Sequence, residues 1–188
     1  MARKYTLKRR ADQQGETRRR IVEAAVELHS TVGPARTTIS MIADRARVQR
    51  HTFYAHFPAE DDLYLACSGL ALERDPLPDP EPWREIEDPL QRLRIGLKAV
   101  YDWYGRNAPL TGCVLRDAEY HAPTRAIMEL RFGPVVAGWH EVLGEGIAAD
   151  QRAMLALALS YFTWRTLVAE ARLEPAAAVE AMVSTVSG

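Results

Sequence analysis

Apolar residues recur three or four positions apart along most of this chain, and glycine and proline interrupt them at only a few places. This spacing puts the apolar side chains on one face of an α-helix, whereas a half-buried β-strand requires strict alternation of apolar and polar residues. The pattern therefore predicts an all-α fold. The chain has 188 residues, of which 47% are apolar, and this is enough to bury a core without disulfides or a structural metal.

The breaks between the apolar patterns divide the chain into predicted helices. Thr38 is expected to cap the second helix with its hydroxyl group, and Asp150 a long helix near the C-terminus. Prolines at alternate positions predict an extended linker over 75–82, and Gly133 with Pro134 predicts a kink or a break. The predicted helices are 17–31, 39–46, 49–56, 58–74, 90–107, 111–120, 123–149, 151–172 and 175–186.

The formal net charge of −1 hides a strong asymmetry along the chain. Residues 1–57 carry 12 Lys and Arg against 5 Asp and Glu, a net charge of +7, whereas residues 58–188 carry 12 against 20, a net charge of −8. A difference of this size is typical of a polyanion-binding segment joined to a body with another task. We therefore predict two domains, 1–57 and 58–188.

Several other functional classes lack support in the sequence. Cys67 and Cys113 are the only cysteines, which suits a reducing compartment and leaves no spacing for structural zinc. The longest nearly apolar run, 153–164, is shorter than the ~20 residues that cross a bilayer, and no apolar signal region follows the basic N-terminus. We expect a cytoplasmic protein that does not contact a membrane.

Catalytic motifs are also missing. The sequence has no HExxH, no ExxH pair, no GxSxG and no phosphate-binding glycine loop, and His51 and His56 diverge on a helix. We expect no catalytic residue, metal or cofactor. A helical enzyme and a structural adaptor remain as the alternative classes.

Residues 17–57 have the layout of a helix-turn-helix. A support helix precedes a helix opened by two threonines, a tight turn and a third short helix with a polar face. Such a helix fits the DNA major groove, where its first residues meet the base edges. Its exposed face is expected to consist of Gln49, Arg50, His51, Thr52, Tyr54 and His56.

The stretch from Thr17 to Leu63 resembles the DNA-binding domain of TetR-family transcriptional regulators. The resemblance rests on TRRRIVEAAVEL, TTISMIADRA, Val48, TFYAHF at 52–57 and DDL at 61–63, about a quarter of the chain. It implies a homodimeric regulator, usually a repressor, whose C-terminal helical domain binds a small molecule and releases operator DNA.

The resemblance also assigns roles to single residues. Thr38 and Tyr54 would hold phosphates, and His56 would lie at the phosphate edge. The bases would be faced by Gln49, Arg50, His51 and Thr52, and Ser40 completes the set of candidate DNA-binding residues. Arg50 is the strongest candidate for base readout, because its guanidinium can contact guanine O6 and N7 together.

The chain departs from the family pattern at four positions. Arg47 and His51 replace common glycines, Glu60 replaces a common lysine, and His29 replaces a frequent core phenylalanine. A left-handed turn costs a residue other than glycine roughly 1–2 kcal/mol, so Arg47 predicts a changed turn. Glu60 is expected to repel phosphate, and His29 is expected to be partly exposed.

The basic residues before the helix-turn-helix allow two interpretations. They are Arg3, Lys4, Lys8, Arg9, Arg10, Arg18, Arg19 and Arg20. One interpretation is a disordered, solubilising tail with an exposed helix face. The other is an arm that follows the DNA backbone or enters the minor groove.

The C-terminal region predicts a small-molecule site and a dimer interface. Aromatic side chains with a few polar groups are typical of ligand cavities, and a partly apolar or aromatic effector would suit them. The candidates are Trp103, Tyr104, Asn107, Trp139 and Phe162. A seam of small residues, with Ala153, Ala156 and Ser160, predicts a two-fold four-helix interface through the last two helices. Packing within one subunit is the alternative for both groups.

Overall fold

The computed structural model describes the backbone of residues 2–188 and the side chains of Arg9 and of residues 11–188. This part of the chain is helical and contains no strand, so the predicted all-α class is confirmed. The helices are α1 (Ala2–Thr31), α2 (Ile39–Ala46), α3 (Arg50–His56), α4 (Glu60–Arg74), α5 (Pro89–Ala118), α6 (Ala122–Leu143), α7 (Arg152–Leu159), α8 (Tyr161–Trp164) and α9 (Pro175–Ser187). Short 3-10 turns occupy Pro34–Arg36, Glu81–Glu85 and Ala149–Gln151, and a π-helical turn occupies Arg165–Glu170.

The chain folds into two compact units. The first comprises the residues up to Arg74 together with Gly112–Ile127, and the second comprises Asp75–Thr111 together with Met128–Gly188. The predicted division after residue 57 follows charge rather than compactness, and it stays a prediction about which residues meet DNA.

In the first unit, the apolar face of α1 packs against α2, α3 and α4. Burying one such Ile, Leu or Phe side chain contributes roughly 1.5–3 kcal/mol, which is enough to order helices too short to form alone. The most deeply buried members of this core are Ile21, Ala25, Ile42, Phe53, Phe57 and Leu63.

His29 belongs to this core, so the expectation of partial exposure is wrong. Only 5% of its surface is exposed, its ring stacks on Tyr64, and its Nδ1 lies 3.6 Å from Cys67 Sγ. Burial lowers the pKa of His29 to about 4, against the opposing influence of the Asp117 charge. Burial also raises the pKa of the Cys67 thiol to about 12, which suppresses thiolate chemistry.

The second unit has its own core between α5, α6, α7 and α9. α5 and α6 approach closely at Gly96, where an added Cβ would lie 2.5 Å from Leu143 Cδ2. The fully buried apolar side chains of this core include Leu93, Leu97, Val100, Trp139, Val142, Ala158 and Val186.

Two predicted interruptions are not breaks in the helices. α5 continues through Pro109 as one helix, although separate helices were predicted over 90–107 and 111–120. α6 continues through Gly133 and Pro134, so the predicted kink or break is not a break. A proline inside a helix costs roughly 3 kcal/mol, and each helix has buried side chains elsewhere along its length, such as Leu97 of α5 and Trp139 of α6. α6 instead ends at Leu143, before Gly144 and Gly146, and Gly146 has a left-handed φ of 81°. The prediction that α6 extends to residue 149 is therefore wrong.

The long helix predicted over 151–172 is wrong as well, because it breaks at Ser160. Ser160 has extended backbone angles, and its hydroxyl caps α8 by accepting from Phe162 N–H. Asp150 lies in a 3-10 turn without the expected side-chain cap. At the break, the carbonyls of Ala158 and Leu159 accept hydrogen bonds from the hydroxyls of Tyr101 and Tyr104, at 3.0 and 2.7 Å.

The proline-rich segment is packed rather than a free linker. Residues 75–80 are not helical, as predicted, but a 3-10 turn follows at Glu81–Glu85. Pro80 and Trp83 are buried, and Trp139 Nε1 donates to the Pro78 carbonyl at 2.8 Å. The connector is therefore held against the helices of the second unit.

α1 is longer than predicted, because it begins at Ala2 rather than near residue 17. Lys, Arg, Gln and Glu favour helix, and Gly15 alone does not end it. The side chains of Arg3, Lys4, Lys8 and Arg10 lie outside the described residues, so the choice between arm and tail stays a prediction.

The buried His29 predicts an acid-sensitive core. Its pKa is lowered in the folded state, so below its ordinary value of about 6.5 the unfolded chain binds a proton that the folded chain excludes. Stability should therefore fall as the pH drops from about 6.5 to about 4, by about 3 kcal/mol from this residue. In His29→Phe this contribution should vanish, as urea unfolding of both proteins across that pH range would measure. Parallel stability curves for the two proteins would contradict the assignment.

Candidate nucleic-acid interface

The turn between α2 and α3 keeps the geometry of a helix-turn-helix although it lacks glycine. Arg47 adopts left-handed angles, with φ 54° and ψ 48°. The N–H of Val48 donates to the carbonyl of Ala43 at 2.9 Å, which closes a Schellman-type helix end. The expectation of an altered turn shape is therefore wrong, and Arg47 bears the conformational cost.

The N-terminus of α2 is formed as predicted. The hydroxyl of Thr38 accepts a hydrogen bond from Met41 N–H at 3.2 Å and so caps the helix. Thr38 and Ser40 are both exposed. They stand at the positive end of the α2 dipole, where an anion is stabilised.

α3 presents one polar face and anchors the opposite one. Phe53 and Phe57 are buried, with their ring centroids 5.8 Å apart. Of the predicted DNA-binding residues, Gln49, Arg50, His51 and Tyr54 are exposed, whereas Thr52 and His56 are partly buried. His51 Nε2 lies 3.3 Å from Thr52 Oγ1. The structure thus brings the candidate base-reading residues together at the start of α3.

Two arginines of α1 bind the ends of the short helices. Arg18 Nη1 donates to the carbonyl of His56 at 2.8 Å, and its guanidinium lies 4.0 Å above the Phe57 ring. Arg20 Nη1 donates to the carbonyl of Ala46 at 3.3 Å. Both carbonyls lie at helix C-termini, which have no partner within the helix and attract cations. From sequence, these arginines were expected on an exposed helix face or in a DNA-binding arm, and no local pattern predicts their contacts with helix ends.

Glu60 has a partner within its own helix. It opens the first turn of α4 together with Asp61 and Asp62, where the helix dipole favours negative charge. Tyr64 follows one turn later on the same helix. Burial first, and then the Glu60 charge, raise the pKa of Tyr64.

A cavity of about 200 Å³ lies beside α3, within the first unit. No local sequence pattern predicts it, because its walls come from four separate helices and the turns between them. Its lining side chains are His29, Thr37, Ile39, Ile42, Phe53, Tyr54, Phe57, Pro58, Glu60, Leu63 and Tyr64.

Two other kinds of site are absent from the described part of the chain. No group of three or more His, Cys, Asp or Glu side chains there is arranged to hold a metal ion. None of the helices there has an apolar stretch long enough to span a bilayer.

Residues 21–67, from the middle of α1 into α4, match the family described as bacterial regulatory proteins, tetR family. The chain carries a tetR-family DNA-binding domain. No curated protein sequence gives a significant match to the chain.

Solved structures extend the likeness beyond this domain. A TetR-like transcriptional regulator from Rhodococcus sp. RHA1 has 20% identity and a TM-score of 0.64, with 90% of this chain and 93% of that chain covered. A TetR transcription regulator from Haloarcula marismortui has 21% identity and a TM-score of 0.59, with coverages of 92% and 95%. A Clostridium perfringens protein described as a fatty acid metabolism regulator has 18% identity and a TM-score of 0.65, with coverages of 89% and 96%. The chain as a whole therefore has the fold of tetR-family regulators.

Three of the candidate ligand residues, Trp103, Tyr104 and Phe162, belong to an aromatic cluster in the second unit. Trp103 contacts Tyr104, with ring centroids 5.9 Å apart, and Tyr104 contacts Tyr161 at 5.4 Å. Trp103 and Tyr104 are buried, whereas Phe162 is 39% exposed. Trp139 is buried elsewhere in the unit, against the 75–80 connector. Trp103, Tyr104 and Trp139 are thus buried in the second unit, Asn107 is partly buried, and Phe162 lies at the surface.

Asp75 connects two of these candidates to the end of α4. Its backbone carbonyl accepts from Trp103 Nε1 at 3.1 Å, and its carboxylate accepts from Asn107 Nδ2 at 2.7 Å. Arg106 also binds this carboxylate. The hydrogen bond from Arg106 lowers the pKa of Asp75, with a further contribution from Asn107.

The predicted dimer seam is partly open to solvent in the single chain. Ala153 and Ala156 are exposed, and so are the larger neighbours Met154 and Leu157, at 37% and 48%. Ser160 is partly buried at the helix break. One face of α7 therefore lacks an apolar partner within its own unit.

The contacts of Arg18 predict that it stabilises the tetR-family domain from within. Arg18→Ala should lower the free energy of unfolding by about 1–2 kcal/mol, since it removes both a hydrogen bond to a helix end and a cation–π contact. The neighbouring Arg19 forms only a surface pair with Glu23 at 3.0 Å, so Arg19→Ala should cost about 0.3–0.5 kcal/mol. Urea unfolding of both variants provides the comparison, and equal losses would contradict the role of Arg18.

Proposed function

We propose that this protein is a sequence-specific DNA-binding transcription regulator, and in particular a homodimeric repressor that leaves its operator when a small molecule binds its C-terminal helices. The observation that carries the proposal is α3 itself. Its buried side is anchored by Phe53 and Phe57, while Gln49, Arg50 and His51 stand exposed at its N-terminal end. This is the arrangement in which a recognition helix reads the major groove.

The electrostatics of the first 57 residues support a polyanionic partner. Their net charge of +7 contrasts with −8 for the rest of the chain, so DNA would be attracted to one region and repelled by the other. A protein with a DNA partner would act in the cytoplasm, and this is the proposed location. Thr38, Ser40, Tyr54 and His56 are the proposed phosphate contacts.

Base readout is assigned to the start of α3. Arg50 is exposed and forms no ion pair among the described residues. Its planar guanidinium suits bidentate contact with guanine, and Gln49, His51 and Thr52 complete the proposed reading surface. Glu60 is proposed to interact with Tyr64 of the same helix rather than with DNA.

The proposed dimer forms through the two segments predicted as the last two helices, 151–172 and 175–186. It is supported by the exposed apolar face of α7, which lies in the first of these segments. A face with Met154 and Leu157 open to solvent is unfavourable for a lone chain, and the neighbouring Ala153 and Ala156 permit close helix approach. A two-fold dimer would set two α3 helices one DNA turn apart, about 34–36 Å, and would recognise an inverted repeat.

The effector site is proposed at the aromatic cluster, for a partly apolar or aromatic molecule. The support comes from Asp75, which Trp103 and Asn107 hold by hydrogen bonds and which directly follows the last residue of α4. A molecule that displaced either contact would release the end of α4. In this way ligand binding would reach the DNA-binding domain.

An enzyme is the weaker alternative. The chain has the fold of regulators, and the described residues contain no metal-binding group of acidic, His or Cys side chains. An enzyme would also leave the exposed polar face of α3 without an explanation.

Selection of DNA from a randomised duplex library tests the proposal. The wild-type protein should enrich an inverted repeat. Arg50→Ala should relax the base preference at one position of each half-site, at a cost of about 1–3 kcal/mol. Tyr54→Phe is the matched control, because loss of a phosphate contact should weaken binding equally for all sequences. Enrichment of no sequence by the wild-type protein would contradict the proposal.

Ligand and operator should weaken each other by the same factor, since coupling between two sites is reciprocal. A panel of aromatic compounds can be screened by the increase in unfolding temperature. For any compound that binds, its affinity for the free protein and for the operator complex should differ by about 5- to 150-fold. Asn107→Ala should reduce this factor. Equal ligand affinity in both states would contradict ligand-responsive release.

A further inference from the structure

Asp117 is a fully buried carboxylate in the first unit, and it binds a turn 82 residues earlier in the sequence. Its side chain has no exposed surface. Oδ2 accepts a hydrogen bond from Ala35 N–H at 2.9 Å. Oδ1 accepts from Arg116 Nε at 2.8 Å and from the Tyr120 hydroxyl at 2.9 Å.

These donors keep a charge in a place where burial opposes it. Burial by itself raises the pKa of Asp117, but the hydrogen bonds from Ala35 N–H, Arg116 and Tyr120 outweigh it and hold the pKa below its ordinary value. A buried charge of this kind is tolerated only while its partners stay in place. The carboxylate and the turn therefore constrain each other.

The turn in question connects α1 to α2. Ala35 is the middle residue of the 3-10 turn Pro34–Arg36, and Arg116 Nη2 also donates to the carbonyl of Val32 at 3.1 Å. Gly33 has a φ of 98°, and a Cβ there would lie 2.2 Å from Arg116 Nη2 and 2.4 Å from Asp117 Oδ2. The backbone of 32–35 is thus packed directly against the Arg116 and Asp117 side chains.

The same turn determines where α2 begins. Thr37 N–H donates to the carbonyl of Pro34 at 3.3 Å, and the Thr37 hydroxyl donates to the carbonyl of Gly33 at 2.7 Å. The next residue, Thr38, is the cap of α2. A shift of the Ala35 peptide would therefore move the cap and the helix that follows it.

We propose that Asp117 is a positioning residue for the DNA-binding helices, and that its carboxylate holds the Val32–Thr38 turn in the geometry that α2 and α3 need to engage DNA. This inference rests on the proposed DNA-binding function. The contacts that carry it all lie within the first unit, which contains Asp117, its donors Arg116 and Tyr120, and the turn.

The test compares Asp117→Asn with Cys67→Ala in the full-length protein. The first substitution keeps the side-chain size but removes the charge and one of the two accepting oxygens. The second removes a buried thiol from α4 in the same unit, and the partners of this thiol are the His29 ring and the Tyr64 carbonyl rather than the turn. Affinity for the DNA selected by the wild-type protein is measured well below the unfolding midpoint of each variant, where each is folded by circular dichroism.

We expect Asp117→Asn to weaken DNA binding by about tenfold or more, while Cys67→Ala keeps the wild-type affinity. Tyr120→Phe, which removes one donor to the carboxylate from an exposed residue, should give a smaller loss of about two- to threefold. This milder variant keeps the test decisive if Asp117→Asn does not fold. In the wild-type protein, DNA should also slow hydrogen exchange of Ala35 N–H by a larger factor than that of buried α4 amides, because general stabilisation of the fold would protect both alike.

The outcomes separate the two proposals. If the wild-type protein selects DNA but the Asp117 and Tyr120 variants bind it as tightly, the positioning role is refuted and the DNA-binding function stands. Equal losses for Cys67→Ala and Asp117→Asn would likewise reduce Asp117 to a stabilising residue. If the wild-type protein selects no DNA, the proposed function fails and this inference fails with it.

Discussion

Backbone N–H and C=O groups at helix ends have no hydrogen-bond partner within their own helix. In this protein, side chains from other helices bind these groups and thereby hold the helices in place. α2 and α3 have eight and seven residues, so much of their backbone lies in such ends. The C-terminal carbonyls of both helices are bound by Arg20 and Arg18 of α1. The short helices that face DNA in the proposed function are thus held by the helix behind them.

The second unit uses tyrosines for the same purpose. α7 stops at Ser160, and the carbonyls of Ala158 and Leu159 are bound by the hydroxyls of Tyr101 and Tyr104 on α5. Burial raises the pKa of Tyr101 to about 12, so this hydroxyl stays a donor at any physiological pH. Tyr104 therefore has a structural role in addition to its proposed place beside a ligand. A ligand in this cluster would act on groups that also hold the helices together.

The α-helical class and the helix-turn-helix were predictable because they depend on local patterns. The Thr38 cap and the buried Phe53 and Phe57 follow from residue type and spacing over a few positions. The helix end predicted near residue 107 does not occur, and α6 is one helix through Gly133 and Pro134. A local pattern contains no measure of burial along the rest of a helix, and that burial competes with the local cost of proline. The break at Ser160 was missed because two of the hydroxyls that stabilise it, those of Tyr101 and Tyr104, come from residues more than fifty positions away.

Sequence by itself determined the helical class, the tetR-family domain, the polar face of α3 and the separation of charge along the chain, since each depends on which residues are neighbours in sequence. Only the tertiary structure decided the backbone partners of Arg18, Arg20 and Asp117, because backbone groups carry no sequence signature. It also decided that His29 is buried, since one polar residue at a core position does not reveal whether its neighbours exclude water. The pairing of a charged side chain with a distant peptide group is a property of the folded chain, and in this protein it holds the helices that carry the proposed function.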